Sequence, residues 1–325
     1  MNRIFLTNDP AQINRVYGAE LQEKLGCPEV VLDSMLGGSM PQVAYIFSTW
    51  GMPSLSEEEI RRCFPALKAV FYAAGSVQHF ARPFLNCGVR VFSAWGANAV
   101  PVAEFCVAQI LLANKGFFQS AARMQQREYW QARDYTNRFP GNFGAVVGLI
   151  GCGMIGSLTA QMLRGYRLEV LAYDPYLSDE RAEALGVAKC GLEELFRRCD
   201  TISNHLPNNE QTRQMLGYGL FQQMKPNAAF INTGRGAQVE EAGLVRALEE
   251  EPGRTALLDV TEPEPPEPGS PLYRLPNVIL TPHIAGSTGR EVARMGEHMH
   301  EEYQRMLAGH AARYEVTAEM LETMA

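Results

Sequence analysis

Short apolar runs alternate with longer amphipathic stretches along most of the chain. In the first hundred residues, the runs 43–47, 69–72 and 89–92 have the length and composition of buried strands. Residues 56–60 begin like a capped helix, with a serine followed three positions later by a glutamate. This alternation predicts a small open-sheet α/β domain. The segment contains no glycine-rich turn that would bind a phosphate.

The same alternation continues after residue 145 with a more regular spacing. Strand-like runs at 146–150, 168–173, 201–206, 228–233, 255–260 and 277–281 are separated by helical stretches. This pattern predicts one doubly wound parallel sheet, whose ligand crevice lies at the carboxyl ends of the strands. Residues 102–113 are apolar almost all round, which predicts a helix in the core or in a subunit interface.

The end of the chain is too short to form a domain of its own. A long helix is predicted over 287–307, and only a short tail follows it. We therefore expect the tail to rejoin the N-terminal domain, so that the chain crosses between the domains twice and forms a hinge. The predicted domains are residues 1–100 plus 290–325 and residues 101–289.

A glycine-rich turn follows the strand-like run 146–150. Gly151, Gly153 and Gly156 form a G-x-G-x-x-G pattern between a strand and a helix, which is the context that the dinucleotide fingerprint requires. Gly151 permits the tight turn, Gly153 lets the backbone approach a pyrophosphate, and Gly156 lets the helix pack closely on the strand. The helix N-terminus offers free N–H groups to the phosphates.

An acidic residue in the right place strengthens this interpretation. Asp174 ends the next strand-like run, 18 residues after Gly156, and the fingerprint requires an acidic residue about 20 positions on. A carboxylate there accepts hydrogen bonds from ribose hydroxyls and repels a 2′-phosphate. The sequence therefore predicts NAD rather than NADP as the cofactor.

Composition and charge narrow the classes of protein. The chain has 325 residues, 46% of them hydrophobic, and a formal net charge of −7, which argues against binding nucleic acid by phosphate neutralisation. The first residues lack the apolar core of a signal peptide, and no uncharged apolar run approaches the length of a membrane span. Seven scattered cysteines form no C-x-x-C pair, which is typical of reduced thiols in the cytoplasm. No metal site is predicted.

Three loops at the carboxyl ends of successive predicted strands carry ionisable residues. They contain Arg235, then Asp259 with the two glutamates Glu262 and Glu264, and finally His283. Arginine grips a carboxylate with its planar fork of donors. Histidine can transfer the proton that accompanies a hydride, and a carboxylate on its second ring nitrogen orients the imidazole. This combination suits hydride transfer to a 2-oxo acid.

Taken in order, these motifs resemble the D-isomer-specific 2-hydroxyacid dehydrogenase family. The resemblance covers about residues 101–289 and rests on the fingerprint with Asp174, the Asn-Thr-Gly-Arg-Gly loop, the Leu-Asp-Val segment followed by Glu-Pro, and Thr-Pro-His-Ile-Ala-Gly. It implies that Arg235 binds substrate and that His283 is the acid/base. In the family the orienting glutamate stands five residues after the Asp of the Leu-Asp-Val segment, which indicates Glu264; Glu262 is the alternative.

The resemblance also implies further contacts with the cofactor and the substrate. Met154 and Ile155 would offer N–H groups to the pyrophosphate, Leu206, Pro207 and Thr233 would line the cofactor cleft, and Asp259 would lie near the nicotinamide carboxamide. In the smaller domain, a Gly-x-Asp loop presents backbone N–H groups to the substrate carboxylate. Ala74 and Gly75 match that loop, but the aspartate is absent here, which leaves the identity of the acid open.

The family's architecture completes the expectation. It implies a Rossmann-type NAD domain joined to a smaller flavodoxin-like substrate domain, a homodimer, and a small 2-oxo or D-2-hydroxy acid bound between the domains, with no nucleic acid or membrane as partner. Two alternatives stay open on the sequence. One is an NAD(H)-sensing, co-repressor-like binding protein, and the other is a relative that acts on a non-hydroxyacid such as formate or phosphite.

Overall fold

The computed structural model describes residues 2–26 and 28–322 of a chain that divides into two compact units. The first unit joins Met1–Ala99 with Ser287–Ala325, and the second unit is Val100–Gly286. The sequence-based boundaries, after residues 100 and 289, lie one and three residues further along the chain.

The first unit is built on a parallel sheet with helices between its strands. Its elements up to the crossover are β1 (Arg3–Leu6), α1 (Pro10–Tyr17), α2 (Ala19–Lys24), β2 (Glu29–Val31), β3 (Tyr45–Ser48), α3 (Glu57–Cys63), β4 (Ala69–Tyr72), α4 (Ala81–Asn86) and β5 (Arg90–Ser93). Helix α5 (Trp95–Ala113) begins in this unit and continues into the second. The strand order β2-β1-β3-β4-β5 is the flavodoxin-like order.

One face of this sheet is packed around four phenylalanines in register. Phe5, Phe47, Phe71 and Phe92 occupy matching positions on β1, β3, β4 and β5. Their burial is complete, and the Phe47–Phe71 and Phe71–Phe92 rings stack at 5.1 and 4.7 Å between centroids. Aromatic pairs of this kind stabilise a sheet beyond the area that they bury.

The second unit contains a larger parallel sheet. Its elements are α6 (Phe117–Gln125), α7 (Tyr129–Tyr135), β6 (Val146–Ile150), α8 (Met154–Leu163), β7 (Glu169–Tyr173), α9 (Asp179–Leu185), β8 (Ala188–Lys189), α10 (Leu192–Arg198), β9 (Thr201–Asn204), α11 (Tyr218–Phe221), β10 (Ala229–Asn232), α12 (Glu241–Glu250), β11 (Thr255–Leu258) and β12 (Val278–Leu280).

The order of these seven strands is β8-β7-β6-β9-β10-β11-β12, with every pairing parallel. The chain winds outward in one direction from β6 and in the other from β9. The carboxyl ends of β6 and β9 are therefore the topological switch point, where open parallel sheets bind their ligands. The two parallel-dominated sheets and their strand orders confirm the predicted Rossmann-type α/β fold with a second α/β domain.

The chain returns to the first unit after residue 286. Helix α13 (Val292–Leu307) packs its buried methionines, Met295 and Met299, in the cluster that also holds Phe47 and Phe71. Strand β13 (Glu315–Val316) then pairs antiparallel with β5 at the edge of the sheet. The predicted start of the long helix at 287 is wrong, because the segment first forms a short 3-10 turn at Gly289–Glu291.

Other predicted bounds also shift. The run 201–206 is strand only as far as Asn204, since the Asn204 side chain accepts a hydrogen bond from Leu206 N and turns the backbone out of the ladder. Strands β1 and β2 were not predicted. Strand β2 has only three residues and a single fully buried position. Strand β1 does contain an apolar run, residues 4–6, and all three of these residues are buried.

Helix α5 is long and apolar enough to cross a membrane by length and composition, a property that buried core helices share; half of its apolar window is buried. Within residues 2–26 and 28–322, no group of three His, Cys, Asp or Glu side chains could hold a metal. Six cysteines are free thiols, and Cys27 lies outside the described residues.

Candidate active site

The three glycines of the turn after β6 differ in their surroundings. Gly151 has φ of 89°, in the left-handed region that favours glycine. A Cβ on Gly156 would lie 2.0 Å from the Gly151 carbonyl oxygen, so the start of α8 approaches the turn too closely for any side chain. Apart from Gly153 itself and its two chain neighbours, no described atom lies within 4 Å of a Cβ on Gly153. Gly153 therefore leaves open space, as a cradle for a pyrophosphate requires.

Asp174 anchors this turn to the end of β7. Its Oδ2 accepts a hydrogen bond from Cys152 N at 2.7 Å and its Oδ1 accepts one from Tyr176 N at 2.8 Å. Each carboxylate oxygen can accept a second bond. The half-buried carboxylate is thus fixed in orientation and still able to receive hydroxyl donors.

The helix after the turn presents unpaired donors. Gly153 is the residue before the first turn of α8, and no side chain caps that end. Met154 and Ile155, at the first two helical positions, have N–H groups without an acceptor inside the helix. Together with the open space at Gly153 and the oriented Asp174, these donors fit a dinucleotide.

Leu206, Pro207 and Thr233 lie at the carboxyl ends of β9 and β10, next to the switch point. His205 N donates to Ile150 O, which brings this loop beside the glycine turn. The Thr233 hydroxyl contacts the buried Cys106 sulfur at 3.2 Å. Burial raises the pKa of the Cys106 thiol to about 11, so it is neutral at physiological pH. Leu206, Pro207 and Thr233 thus lie in loops at neighbouring strand ends, at the edge of the sheet where the glycine turn also stands.

Asp259 is buried, at 3% exposure, and holds the loop that carries His283. Its Oδ1 accepts from Thr281 Oγ1 at 2.6 Å and from Ile284 N at 2.9 Å, while its Oδ2 accepts from Ala285 N at 2.8 Å. The Asp259 carbonyl oxygen accepts from His283 N. This residue, predicted to contact the cofactor, therefore also fixes the backbone around the candidate acid/base.

His283 is paired with Glu264. The distance from His283 Nδ1 to Glu264 Oε1 is 2.7 Å, and the side chains are 46% and 41% exposed. His283 has φ of 53°, a conformation that is uncommon and unfavourable for a residue other than glycine. Because Nδ1 is engaged by the carboxylate, Nε2 is the nitrogen left for proton transfer.

Arg235 follows β10 and is half-buried. Its Nη1 donates to Gly234 O at 2.7 Å. Burial lowers the pKa of the Arg235 guanidinium, and the negative charge of Glu264 opposes that shift. An arginine stays protonated at physiological pH even so. The loops after β10, β11 and β12 therefore bring a cation, a carboxylate and an imidazole to one edge of the sheet.

Glu262, the alternative partner for His283, is placed elsewhere. A Cβ on Gly236 would lie 1.9 Å from the carbonyl carbon of Thr261 and 2.4 Å from Glu262 N. The backbone at Thr261–Glu262 is thus pressed against the Arg235 loop, while the side chain that meets the imidazole belongs to Glu264.

Ala74 and Gly75 follow β4 in the first unit. The Ala73 carbonyl accepts from Thr49 Oγ1 at 2.8 Å, and the Ala74 carbonyl accepts from Ser93 Oγ at 2.9 Å. A trans peptide points its N–H away from its C=O. The N–H groups of Ala74 and Gly75 are therefore directed to the side of the loop opposite these two hydroxyls.

Sequence reasoning missed three buried amide side chains, Asn204, Asn232 and Gln238, which connect the loops after β9 and β10. Only the polar character of Asn204 and Asn232 at the ends of two predicted strands could have indicated them. Nothing in the sequence indicated that Gln238 is buried, because it lies in a loop, one residue before an apolar position.

Comparison with known proteins identifies the region that carries this site. Residues 107–285 match the D-isomer specific 2-hydroxyacid dehydrogenase, NAD binding domain. The chain is 35% identical to a D-3-phosphoglycerate dehydrogenase of Archaeoglobus fulgidus over 235 residues, which are 72% of this chain and 44% of that protein. It is 31% identical to a glyoxylate reductase of Korarchaeum cryptofilum over 244 residues, 74% of this chain and 73% of that protein.

The chain thus spans less than half the length of the D-3-phosphoglycerate dehydrogenases that it matches. Among solved structures, D-mandelate dehydrogenase of Rhodotorula graminis has a similar fold, with a TM-score of 0.80 and 22% identity over 97% of each chain. The glycine turn, Asp174 and the loops of Arg235, Glu264 and His283 all lie within the matched NAD-binding region. The chain belongs to the D-isomer-specific 2-hydroxyacid dehydrogenase family and has that family's NAD-binding domain.

Proposed function

We propose that this protein is an NAD-dependent dehydrogenase that interconverts a small 2-oxo acid and its D-2-hydroxy acid. The observation that carries the proposal is the His283–Glu264 pair, 2.7 Å apart, at the same edge of the sheet as Arg235 and the open glycine turn. An imidazole held by a carboxylate is suited to proton transfer, and an arginine is suited to holding a carboxylate substrate.

Each residue has a distinct part in this proposal. Arg235 binds the substrate carboxylate and polarises the neighbouring carbonyl. His283 Nε2 gives a proton to the carbonyl oxygen in reduction and takes it back from the hydroxyl in oxidation. Glu264, bound to Nδ1, keeps the imidazole ring oriented. The N–H groups of Ala74 and Gly75, in the first unit, are proposed to take part in substrate binding, as the resemblance implies.

Bound NAD(H) supplies or accepts the hydride in this reaction. The residues proposed to hold it are Gly151, Gly153 and Gly156 with the N–H groups of Met154 and Ile155, and Leu206, Pro207, Thr233 and Asp259 along the cleft. Asp174 is proposed to bind the adenosine ribose. Its oriented carboxylate supports a preference for NAD over NADP, because a 2′-phosphate would meet a like charge.

The decisive experiment measures NADH oxidation with a panel of 2-oxo acids. The relatives are named for glyoxylate and D-3-phosphoglycerate, so glyoxylate and 3-phosphohydroxypyruvate come first, followed by hydroxypyruvate, pyruvate and bulkier acids. NADPH is tested beside NADH with each acid. Turnover with one or more acids and a preference for NADH are expected. Tight NADH binding without turnover on any acid would instead favour a sensing protein.

We also propose that the protein is a homodimer. Helices α6 and α7 of the second unit expose several large aromatic side chains, among them Trp130 at 76% and Tyr129 at 53% exposure. Exposed apolar groups of this size favour association, and a second copy of the chain is the occupant proposed here. Light scattering after size exclusion should give twice the mass of one chain, and Trp130→Glu should shift the protein towards the monomer.

A further inference from the structure

Three amide side chains are buried together at the carboxyl ends of β9 and β10. Asn204 and Gln238 are 0% exposed and Asn232 is 1% exposed. We refer to these three residues as the amide cluster. None of them has a part in the proton transfer or substrate binding proposed above, yet all three contact loops that do.

Gln238 is the centre of the amide cluster because it uses both ends of its side chain. Its Nε2 donates to Leu206 O at 2.7 Å and to Pro207 O at 2.9 Å. Its Oε1 accepts from Asn204 Nδ2 at 2.6 Å and from Arg235 N at 3.1 Å. Two carbonyls face the NH₂ group and two donors face the oxygen, so only this orientation of the amide satisfies all four partners.

The other two amides complete the hold on the Arg235 loop. Asn232 Nδ2 donates to Arg235 O at 3.1 Å, and Asn232 Oδ1 accepts from Gly234 N at 3.1 Å. Both main-chain polar groups of Arg235 are therefore bound by buried amides. Asn204 links the cluster, since its Nδ2 donates to Asn232 Oδ1 as well as to Gln238 and its Oδ1 accepts from Leu206 N.

A purely structural role would be to satisfy buried backbone groups, as other buried amides do. Asn277 is such a case, because its Nδ2 donates to Leu248 O and Arg254 O at the amino ends of β11 and β12. The amide cluster differs in its place. It lies at the opposite edge of the same sheet and binds the backbone of the candidate substrate arginine together with the carbonyls of Leu206 and Pro207.

We propose that Gln238 is a positioning residue that fixes the Arg235 backbone and the Leu206–Pro207 loop relative to each other through the amide cluster. This inference rests on the proposed function of Arg235 in binding the substrate carboxylate. A small displacement of a substrate-holding group costs orders of magnitude in rate, so a rigid link between these two loops has a direct effect on turnover. Gln238 acts through Arg235 and touches no reacting atom.

Gln238→Met tests the assignment, because it keeps the length of the side chain and removes every hydrogen bond that the side chain makes. Buried donors and acceptors left without partners destabilise the local structure. The KM for the best acid of the panel is expected to rise about tenfold to a hundredfold, and the inhibition constant of oxalate, a non-reacting dicarboxylate, should rise in parallel. Fluorescence titration should show a weaker Kd for NADH, since the Leu206–Pro207 loop loses two donors.

Asn277→Leu is the matched control. It removes an amide bound to two buried carbonyls in the same unit, so it should lower Tm about as much as Gln238→Met does, with KM, the oxalate constant and the NADH Kd unchanged. Should Gln238→Met fail to fold, Asn204→Leu provides the second variant. It leaves Gln238 in place but removes its link to Asn232, and a KM rise of about threefold to tenfold is expected.

The outcomes separate this inference from the proposed function. If the unaltered protein fails to oxidise NADH with every acid of the panel, the proposed function is overturned, and this assignment with it. An active protein in which Gln238→Met, or Asn204→Leu in its place, has the same KM and NADH Kd as Asn277→Leu overturns the positioning role alone. A selective rise in KM, with equal losses of Tm, establishes it.

Discussion

The loops that carry Arg235 and His283 follow parallel strands of one sheet, yet the protein holds them by opposite means. The His283 loop is gathered around a single buried carboxylate, Asp259, which accepts three hydrogen bonds from it. The Arg235 loop is held by the amide cluster, which carries no charge. The side chains differ as well, since the His283 imidazole is nearly half exposed whereas burial lowers the pKa of Arg235.

The difference follows from what each group can do. A carboxylate only accepts, so Asp259 can collect donors from one loop but cannot bind the carbonyls of another. An amide both donates and accepts, so Gln238 can join two loops. The structure thus ties the His283 loop to the end of β11 through bonds that Asp259 only accepts. It ties the Arg235 loop to the end of β9 through bonds that Gln238 both donates and accepts, and the variants below probe each side of this contrast.

His283→Ala is expected to have the largest effect. It removes the proposed proton donor and should lower kcat by about 10²–10⁴-fold, the range of general acid/base groups. Tm and the Kd for NADH should change little, because the side chain is exposed and its one described polar partner is Glu264. Steady-state kinetics and fluorescence titration measure these quantities. A variant with unchanged kcat would remove His283 from the mechanism.

Asp259→Asn tests the carboxylate side of the contrast. It replaces one acceptor by an NH₂ group that faces N–H or O–H donors, which should cost about 2 kcal/mol of unfolding free energy. The displaced His283 loop should lower kcat by about tenfold to a hundredfold. Asp259→Asn should therefore change mainly kcat, whereas Gln238→Met should raise the KM for the acid. If Asp259→Asn and Gln238→Met changed kcat and KM in the same way, the contrast between the two loops would be wrong.

The stability of the region around the amide cluster should depend on pH only through His205, which follows Asn204 in the chain. Burial lowers the pKa of His205 to about 4, and neither ring nitrogen has a hydrogen-bond partner among the described residues. The unfolded state takes up this proton below its ordinary pKa of about 6.5 and the folded state does not. Stability should therefore be complete above pH 6.5 and fall towards pH 4.

At pH 5 this loss is about 2 kcal/mol relative to pH 7. His205→Leu should remove that part of the pH dependence, as measured by urea unfolding of both proteins at the two pH values. If the two proteins lose the same free energy between pH 7 and pH 5, the acid sensitivity comes from other groups.

Glu264→Gln should give the smallest change on the histidine side. The amide oxygen can still accept from His283 Nδ1, but the hydrogen bond loses its charged partner and weakens, so kcat should fall by about tenfold. The side chain is 41% exposed, and Tm should be the same as that of the unaltered protein. Steady-state kinetics measure kcat, and a kcat equal to that of the unaltered protein would show that the charge of Glu264 has no part in the reaction.

Much of this arrangement could be predicted from local sequence. The glycine turn, Asp174 and the strand-loop rhythm are short-range patterns, each set by a few adjacent residues whose backbone or burial requirements are strict. The sheet gives the three chemical loops a common edge because all its strands are parallel. The resemblance to the family then assigned parts to Arg235, Glu264 and His283, and those parts remain predictions until they are measured.

The amide cluster could not be predicted, for a physical reason. Asn204 and Gln238 are 34 residues apart in sequence and meet only because β9 and β10 are neighbours. A single buried glutamine has no periodic pattern and no characteristic spacing. Strand β2 was missed because three residues with a single fully buried position are too few to reveal an apolar period. Strand β1 has a short apolar run, residues 4–6, that could have indicated it.

The contrast between Gly236 and Gly153 has a consequence for laboratory evolution. In a library with every substitution at each position, variants at Gly236 should vanish even when cells are selected only for folded protein, since any side chain collides with the Thr261 backbone. At Gly153, alanine should survive that selection and disappear only when growth requires the NAD-dependent reaction. Enrichment ratios from the two selections would therefore distinguish a glycine that the fold requires from one whose side-chain space belongs to the cofactor.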